Sequence, residues 1–401
     1  MTGTSGNPAV AGPVAGTPSL LRAINDRAAL QLLLERGPLS RAQIGALTGL
    51  SKPTASQLLS RLEAAGLVVP VGTTEGGPGP NARLYQLDPG AAHVAGLDVT
   101  PARIRVAVAD ITGRVVGEHL LATPGRQAAG TVDRVVTAVR EAAGQAGLEP
   151  ERLSQVVVGA PGAIEPLTGR LRYAPHLTGW HSPRLLAELA DRLGAPVVFE
   201  NDVNLAAVAE QALGEARGCE DFVLLWAAEG VGAAVVIAGR LHRGHTGGAG
   251  EVGYMPLPGA PLIRNVRREN SGGFQELAGA PAVLALARKH GITGRTAREA
   301  VARAAAAGDS RGDAVLTELA HRLATGLAAI VAVVDPELVV LSGEVPQAGG
   351  EQLRALVQEE LTGLAVPRPR LRMSALEESP VVQGALQSAL ATVRDAVFTT
   401  H

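Results

Sequence analysis

Two helix-start signals flank a glycine in residues 40–66, SRAQIGALTGLSKPTASQLLSRLEAAG, and force one helix, a turn and another helix. Ser40 with Gln43 forms a capping box, each side chain answering the other's backbone amide. The helix it opens ends at Thr48-Gly49. Ser51 caps the next helix, and Pro53 is tolerated there because first-turn amides have no intrahelical partner. An earlier helical pattern, Leu20 to Arg36, stops at Gly37-Pro38. In the third helix Ala55, Leu58, Leu59 and Leu62 make the stripe to be buried. Lys52, Ser56 and Ser60 share one outer row, with Gln57 and Arg61 on the next. Small hydroxyls, an amide and cations suit a DNA major groove, where donors and acceptors are read without steric block. Arg41, Ser51 and Thr54, around the turn, complete the expected DNA-facing set.

The run LVVPVGTTEGGPGPNARLYQLDP follows, two short β patterns around a Gly/Pro-rich tip, as in a wing hairpin. Arg83 and the tip are expected at the DNA backbone or minor groove. From Ser19 to Gly72 there are six basic residues against three acidic, in a chain whose net charge is −2. That local excess suits phosphate contacts. A helical interaction module without a DNA role is the plainer alternative; a winged helix-turn-helix accounts for more of the pattern.

At 401 residues the chain exceeds one ordinary domain. Hydrophobic residues reach 46% but aromatics only 2%, so the core must be aliphatic. One cysteine, Cys219, excludes an intrachain disulfide and a Cys-rich metal site and fits a reducing cytoplasm. Residues 1–18 lack the basic start and apolar run of a signal peptide and read as a disordered tail. The apolar stretch Leu327 to Val334, halted by Asp335-Pro336, is too short to span a bilayer. A cytoplasmic protein with no membrane partner is expected.

From His93 onward strand and helix patterns alternate. HVAGLDV, RIRVAVAD and GRVVGEH suggest a β meander, Gly130 to Gly147 a helix, and VVVGAPG and PVVFEND buried strands. FVLLWAAEGVGAAVVIAG restarts a second sheet, and ELVVLSG supplies a late strand. The class is α/β, with two lobes around a cleft.

The runs GAPGAIEPLTGRLRYAPHLTGW, FENDVNLAAVAE and HRGHTGGAGEVGYMP, in that order, resemble the ROK family (repressors, open reading frames and kinases) of the actin-like, ribonuclease H-like ATPase fold. The likeness covers roughly residues 91 to 395, and the front end matches the repressor branch. It implies a disordered tail at 1–18, a winged helix-turn-helix with wing and linker at 19–90, and a ROK sugar-sensing domain at 91–401. The cleft would lie near 200–204 and 251–276. In ROK kinases the aspartate of the ENDxN motif takes a proton from the sugar hydroxyl, and neighbouring groups hold other hydroxyls. The resemblance carries those roles to Asn201, Asp202, Glu251 and Glu276, with Tyr254 and His176 standing where the family favours His and Asn. Carboxylates and amides suit a polyol because each buried hydroxyl needs a partner. Helix capping by Asn201 and Asp202 is the plainer role for that pair.

Two departures bear on chemistry. The kinase loop Asp-x-Gly-Gly-Thr-Lys is here Asp98-Val99-Thr100-Pro101-Ala102-Arg103, without glycines to wrap phosphate and with a proline that has no N–H. The second loop, Gly-Thr-Gly-Ile-Gly, is Ala228-Glu229-Gly230-Val231-Gly232, with Glu229 set against a triphosphate. Phosphoryl transfer depends on positioning and charge stabilisation, so no catalytic residue is expected. The Cys cluster and histidine of zinc-bearing relatives are replaced by RNVRRENSGGFQE and Tyr254, so no metal or cofactor is expected. His242 and His245 read as solvated loop residues.

The sequence therefore implies a sugar-responsive regulator, a repressor of carbohydrate uptake or catabolic genes, xylose among the candidate effectors. It would bind a palindromic double-stranded operator as a homodimer or homotetramer. Two alternatives stay open: an active ROK sugar kinase with Asp202 as base, and a ligand-independent DNA-binding protein. Residues Leu84 to Ala95 are the expected coupling segment between reader and sensor.

Overall fold

The helix signals act where their spacing predicts. In the computed structural model, which describes residues 18–73, 82–123, 130–165, 168, 171–172, 180, 182, 184–265, 271–376 and 379–399, α1 is Pro18–Arg36. It is followed by α2 (Arg41–Thr48) and α3 (Lys52–Ala64). Ser40 Oγ accepts from the Gln43 amide at 3.3 Å, and Gln43 Oε1 accepts from the Ser40 amide at 2.8 Å. Ser51 Oγ takes the Thr54 amide at 3.4 Å. These bonds answer amides that a helix start leaves without partners. The buried residues of α3 are Ala55, Leu58, Leu59 and Leu62, the stripe that helical periodicity picks out. Leu30 and Leu33 of α1 and Ile44 of α2 are buried as well.

The wing is a sheet with one strand more than the hairpin pattern suggests. β1 (Leu39–Ser40) pairs antiparallel with β3 (Arg83–Leu87), which also pairs antiparallel with β2 (Val68–Thr73). The tip at 74–81 lies outside the described residues, as do 1–17 of the expected tail.

The chain divides into two compact units. One holds the described residues up to Ala92 together with Asp110–Thr112 and those from Ala391; the other holds His93–Ala109 and Gly113–Leu390. In the second unit β4 (His93–Val99), β5 (Arg103–Asp110) and β6 (Val115–Ala122) precede α4 (Thr131–Gln145). Next come β7 (Leu153–Ala160), β8 (Ala163–Ile164), β9 (Leu171–Arg172) and α5 (Leu185–Leu193). Then come β10 (Val197–Asn201), α6 (Asp202–Leu213), β11 (Phe222–Ala227), β12 (Val231–Ile237) and β13 (Arg240–Leu241). The remainder is α7 (Gly273–Ala278), α8 (Ala280–Lys289), α9 (Ala297–Ala307), α10 (Ser310–Val334), β14 (Leu338–Ser342), α11 (Glu344–Leu364), β15 (Arg370–Met373) and α12 (Pro380–Thr399).

Among the described residues two five-stranded sheets form, ordered β10-β7-β4-β5-β6 and β13-β12-β11-β14-β15. They share one plan. Parallel pairs (β10 with β7, β7 with β4) continue to an antiparallel edge in the first sheet, and β14 with β11 and β15 do the same in the second. Val156, Val158, Leu97 and Phe199 face α4 and α5 in the first core. Val223, Leu225, Val339 and Leu341 face α8 to α11 in the second. These are aliphatic cores, as the scarcity of aromatics requires.

α10 extends well beyond the apolar run at Leu327–Val334. Its 25 residues are long and apolar enough, by length and composition, to cross a membrane. Yet Leu316, Leu319, Leu323, Leu327 and Val331 are buried in the second core, which accounts for that composition in a globular unit. In the first unit, Leu58→Ala removes a side chain that is 1% exposed. The expected cost is about 2–5 kcal/mol, read from urea unfolding followed in that unit.

Candidate functional site

The outer face of α3 is the first place where chemistry-bearing residues converge. Arg41, Lys52, Gln57 and Ser60 are exposed, and Ser56 is half-buried. Ser51 and Thr54 are exposed, but their hydroxyls are bonded to each other at 2.8 Å as part of the cap. Two of the expected contacts, Arg61 and Arg83, are exposed and also hold ion pairs within the unit. Arg61 Nη2 donates to Asp26 Oδ1 at 2.6 Å, and Asp26 is almost wholly buried, so this guanidinium answers a buried charge of α1. Arg83 pairs with Glu63 at 3.4 Å and stacks its guanidinium on the Tyr85 ring, 5.5 Å from the centroid.

The second place lies between the two sheets of the second unit, at the junction of β10 with α6. Asn201 caps α6: its Oδ1 accepts from the Asn204 amide at 2.9 Å, while its Nδ2 donates to the Gly162 carbonyl at 3.0 Å. Capping thus uses part of Asn201 and fixes the direction of Asp202, the first helical residue. Asp202 Oδ1 accepts from the Val203 amide at 2.8 Å. Burial raises the Asp202 pKa to about 6, and the Asp98 charge adds to the rise. Glu251, from the loop after β13, is raised to about 7 by burial and by the charge of Asp202. Burial also raises Asp98, against the pull of Arg103 and Arg105; Arg103 Nη2 stands 4.0 Å from Asp98 Oδ2. Asp98 thus acts on Asp202 and Asp202 on Glu251, acids of three separate segments. Among the described residues no His, Cys, Asp and Glu group of three or more converges closely enough to hold a metal ion.

Glu200 holds this arrangement together. It is 8% exposed, and its Oε2 accepts from Nε and Nη2 of Arg243, each at 2.7 Å. Its Oε1 accepts from the Asn201 amide and from Asn204 Nδ2, each at 2.9 Å. Arg243 belongs to the loop that leads to Glu251, and the carbonyl of Gly250 accepts from the Ala233 amide of β12 at 2.9 Å. The Glu251 loop is thereby tied to both sheets. Sequence reading passed over Glu200; its place directly before Asn201-Asp202 was the available signal.

The remaining expectations separate. Tyr254 is half-buried in the short helical turn Val252–Tyr254 just after Glu251. Glu276 is exposed and accepts from Ser271 Oγ at 2.6 Å, apart from the acids above. Its neighbour Gln275 faces inward instead. Its Oε1 takes the Val231 amide at 3.0 Å, and its Nε2 donates to the Glu229 carbonyl at 3.4 Å. His176 lies outside the described residues. His242 and His245 are exposed.

Both loops that correspond to kinase phosphate grips are closed on themselves. Gln275 occupies the second, and the Ala280 amide also bonds the Glu229 carbonyl, at 3.2 Å. In the first, Thr100 and Arg103 exchange backbone and hydroxyl bonds across Pro101. Amides already bonded cannot wrap a phosphate without breaking those bonds. Surface hollows elsewhere, between α10 and α11 and beside Arg354 and Arg370, bring together no comparable set of buried acids.

Fold and sites define a helix-turn-helix DNA reader joined to a kinase-like domain with closed phosphate loops. The ROK family model matches residues 94–392 and a MarR family model matches residues 25–77. The chain belongs to the ROK family. The xylose repressor of Caldicellulosiruptor bescii is 24% identical over 387 residues, 92% of this chain and 96% of that protein. The DNA-binding transcriptional dual regulator NagC of Escherichia coli K12 is 23% identical over 351 residues, 85% of each chain. A crystal structure of a ROK family transcriptional regulator, a homologue of the E. coli MLC protein, matches with a TM-score of 0.75 and 19% identity. That match covers 94% of this chain and 99% of the other and bears on the fold alone.

The raised acids make a pH prediction. Asp202 and Glu251 hold their protons to higher pH in the folded chain than unfolded, so the native state binds more protons between about pH 4 and 7. Stability from this source is therefore fullest below about pH 4 and falls as pH rises to about 7. Asp202→Asn and Glu251→Gln are each expected to raise stability at pH 8 by about 1 kcal/mol and to flatten the slope, measured by urea unfolding across that range.

Proposed function

We propose that this chain is a sugar-responsive transcriptional repressor whose kinase-like domain holds a sugar without phosphorylating it. One observation carries the reading: Asp202, at the start of α6, and Glu251, on the loop after β13, lie near enough for the charge of one to raise the other, while both phosphate loops are closed by their own hydrogen bonds. A polyol suits such acids. An ionised carboxylate accepts from hydroxyls, and a carboxyl with a raised pKa can also donate one. Asn201, Asp202, Glu251 and Tyr254 are the contacts this reading assigns, with Gln275 rather than Glu276 on the inward side of α7. His176 is retained as a candidate contact from the family pattern.

The xylose repressor above and the N-acetylglucosamine repressor of Escherichia coli O6:H1, 23% identical over 351 residues, point to xylose and N-acetylglucosamine as the first sugars to offer. The reader would act from a symmetric dimer or tetramer in the cytoplasm, its two α3 helices on the half-sites of a palindromic operator near carbohydrate uptake or catabolic genes. Control requires that the sugar bind two states of the protein unequally, since equal binding shifts nothing. Exposed Arg41, Lys52, Gln57 and Ser60 are the direct DNA contacts in this reading, and Arg61 supports α3 from behind.

Two measurements test it. Titration of the protein on its own promoter DNA with each sugar should change operator affinity, and Asp202→Ala or Glu251→Ala should abolish the response while DNA binding persists. A response that survives both substitutions places the effector elsewhere. On the DNA side, Lys52→Ala should weaken binding evenly across sequences and lower the salt slope by about one, whereas Gln57→Ala should cost about 1–3 kcal/mol at one base pair. No sugar-dependent ATP turnover is expected; turnover lost in Asp202→Asn would restore the kinase alternative.

A further inference from the structure

α12 runs unbroken from Pro380 to Thr399, and the boundary between the two units falls inside it. Residues to Leu390 belong to the second unit and those from Ala391 to the first. A continuous helix is a stiff rod, because each turn is bonded to the next along the axis. Displacement of one end therefore reaches the other unless the helix breaks.

In the second unit the first half of α12 lies directly on the two elements that carry Asp202 and Asp98. A Cβ on Gly384 would stand 1.8 Å from the Leu205 carbonyl oxygen, and Leu205 follows Asp202 by one turn of α6. A Cβ on Gly96 would stand 2.8 Å from the Leu386 nitrogen and 2.9 Å from the Val382 oxygen, and Gly96 precedes Asp98 on β4. Backbone rests on backbone at both places, with no side chain between to absorb movement. Close-packed interiors transmit small shifts rather than damping them.

In the first unit the last turns of α12 are bonded to α1. Asp395 Oδ1 accepts from Arg27 Nη2 at 2.8 Å, and Arg27 Nη1 donates to Thr399 Oγ1 at 3.3 Å. Arg394 Nε donates to the Ile111 carbonyl at 2.9 Å, which fixes the rotation of the helix about its axis. The residue beside Arg27 on α1 is Asp26, which receives Arg61 of α3. Successive residues of α1 thus face α12 on one side and the reading helix on the other.

We propose that α12 conveys occupancy of the Asp202–Glu251 site to the reading helix, with Arg27–Asp395 as the coupling contact. The inference rests on the sugar-sensing reading above. It adds a helical route to the Leu84–Ala95 segment, and a switch built on helix displacement matches known modes of such transitions.

Charge reversal tests it on the full chain. The Arg27 and Asp395 side chains are 55% and 64% exposed, so altering them leaves the fold in place. Arg27→Asp, Asp395→Arg and the pair together would be compared for operator affinity by fluorescence anisotropy, with and without saturating xylose or N-acetylglucosamine, and for sugar affinity by calorimetry. The unaltered chain should shift about tenfold or more with sugar, and each single variant less than about twofold at unchanged sugar affinity. The double exchange should regain the shift. A single variant with the full shift overturns the proposal.

A second arm needs no sugar. Val381→Ala, at the site end of α12, should speed amide exchange in α1 around Arg27 by about threefold or more, while Val345→Ala, also buried but on α11, should leave α1 unchanged. Equal α1 exchange in the two variants overturns the coupling role. An unaltered chain without any sugar response, but with α1 exchange changed by Val381→Ala alone, overturns the sensing reading and upholds the coupling.

Discussion

Glu200 is a carboxylate almost shut off from water, and a charge in that position must be answered on every side or it unfolds what surrounds it. Here the answers come from the start of α6 and from Arg243 on the loop after β13. Satisfying one charge therefore brings the leading edges of two sheets together, and Asp202 and Glu251 arrive with them. The placement of the site follows from the electrostatics of its neighbour. Among the described residues no basic group lowers Asp202 or Glu251, and burial keeps both raised.

The parts of the molecule legible in the sequence are those decided within a few residues. Ser40 with Gln43, and Ser51 with Thr54, set helix starts through bonds three residues long, and the stripe from Ala55 to Leu62 follows from helical period alone. The strands from His93 to Asp110 and from Phe222 to Ile237 are runs whose residue types leave little choice. Within the site, Asp202 and Glu251 are legible from motif order, and the charge of Asp202 is one of the two causes that raise Glu251.

What was hidden depends on partners far along the chain. β1 is a strand only because Tyr85 and Leu84 lie beside Leu39 and Ser40. Arg61 sits on the outer face by periodicity, yet its guanidinium also pairs with buried Asp26 of α1. Glu276 and Gln275 differ by a single step of 100° around a short helix, enough to exchange which of them looks inward and which looks at solvent. The closing of the first unit by the final turns of α12 is a pairing across nearly the whole chain, for which no local pattern exists.

The side chain of Gln275 takes the Val231 amide, in the loop that corresponds to a kinase phosphate grip. A tethered amide is always present at its partner, whereas a nucleotide must arrive by diffusion and displace it. In the proposed sensing reading a domain occupied in this way converts nothing, so every sugar molecule that enters leaves unchanged. Its occupancy then follows the free concentration of the sugar in the cell and is indifferent to how fast that sugar is consumed, which makes it a gauge of supply.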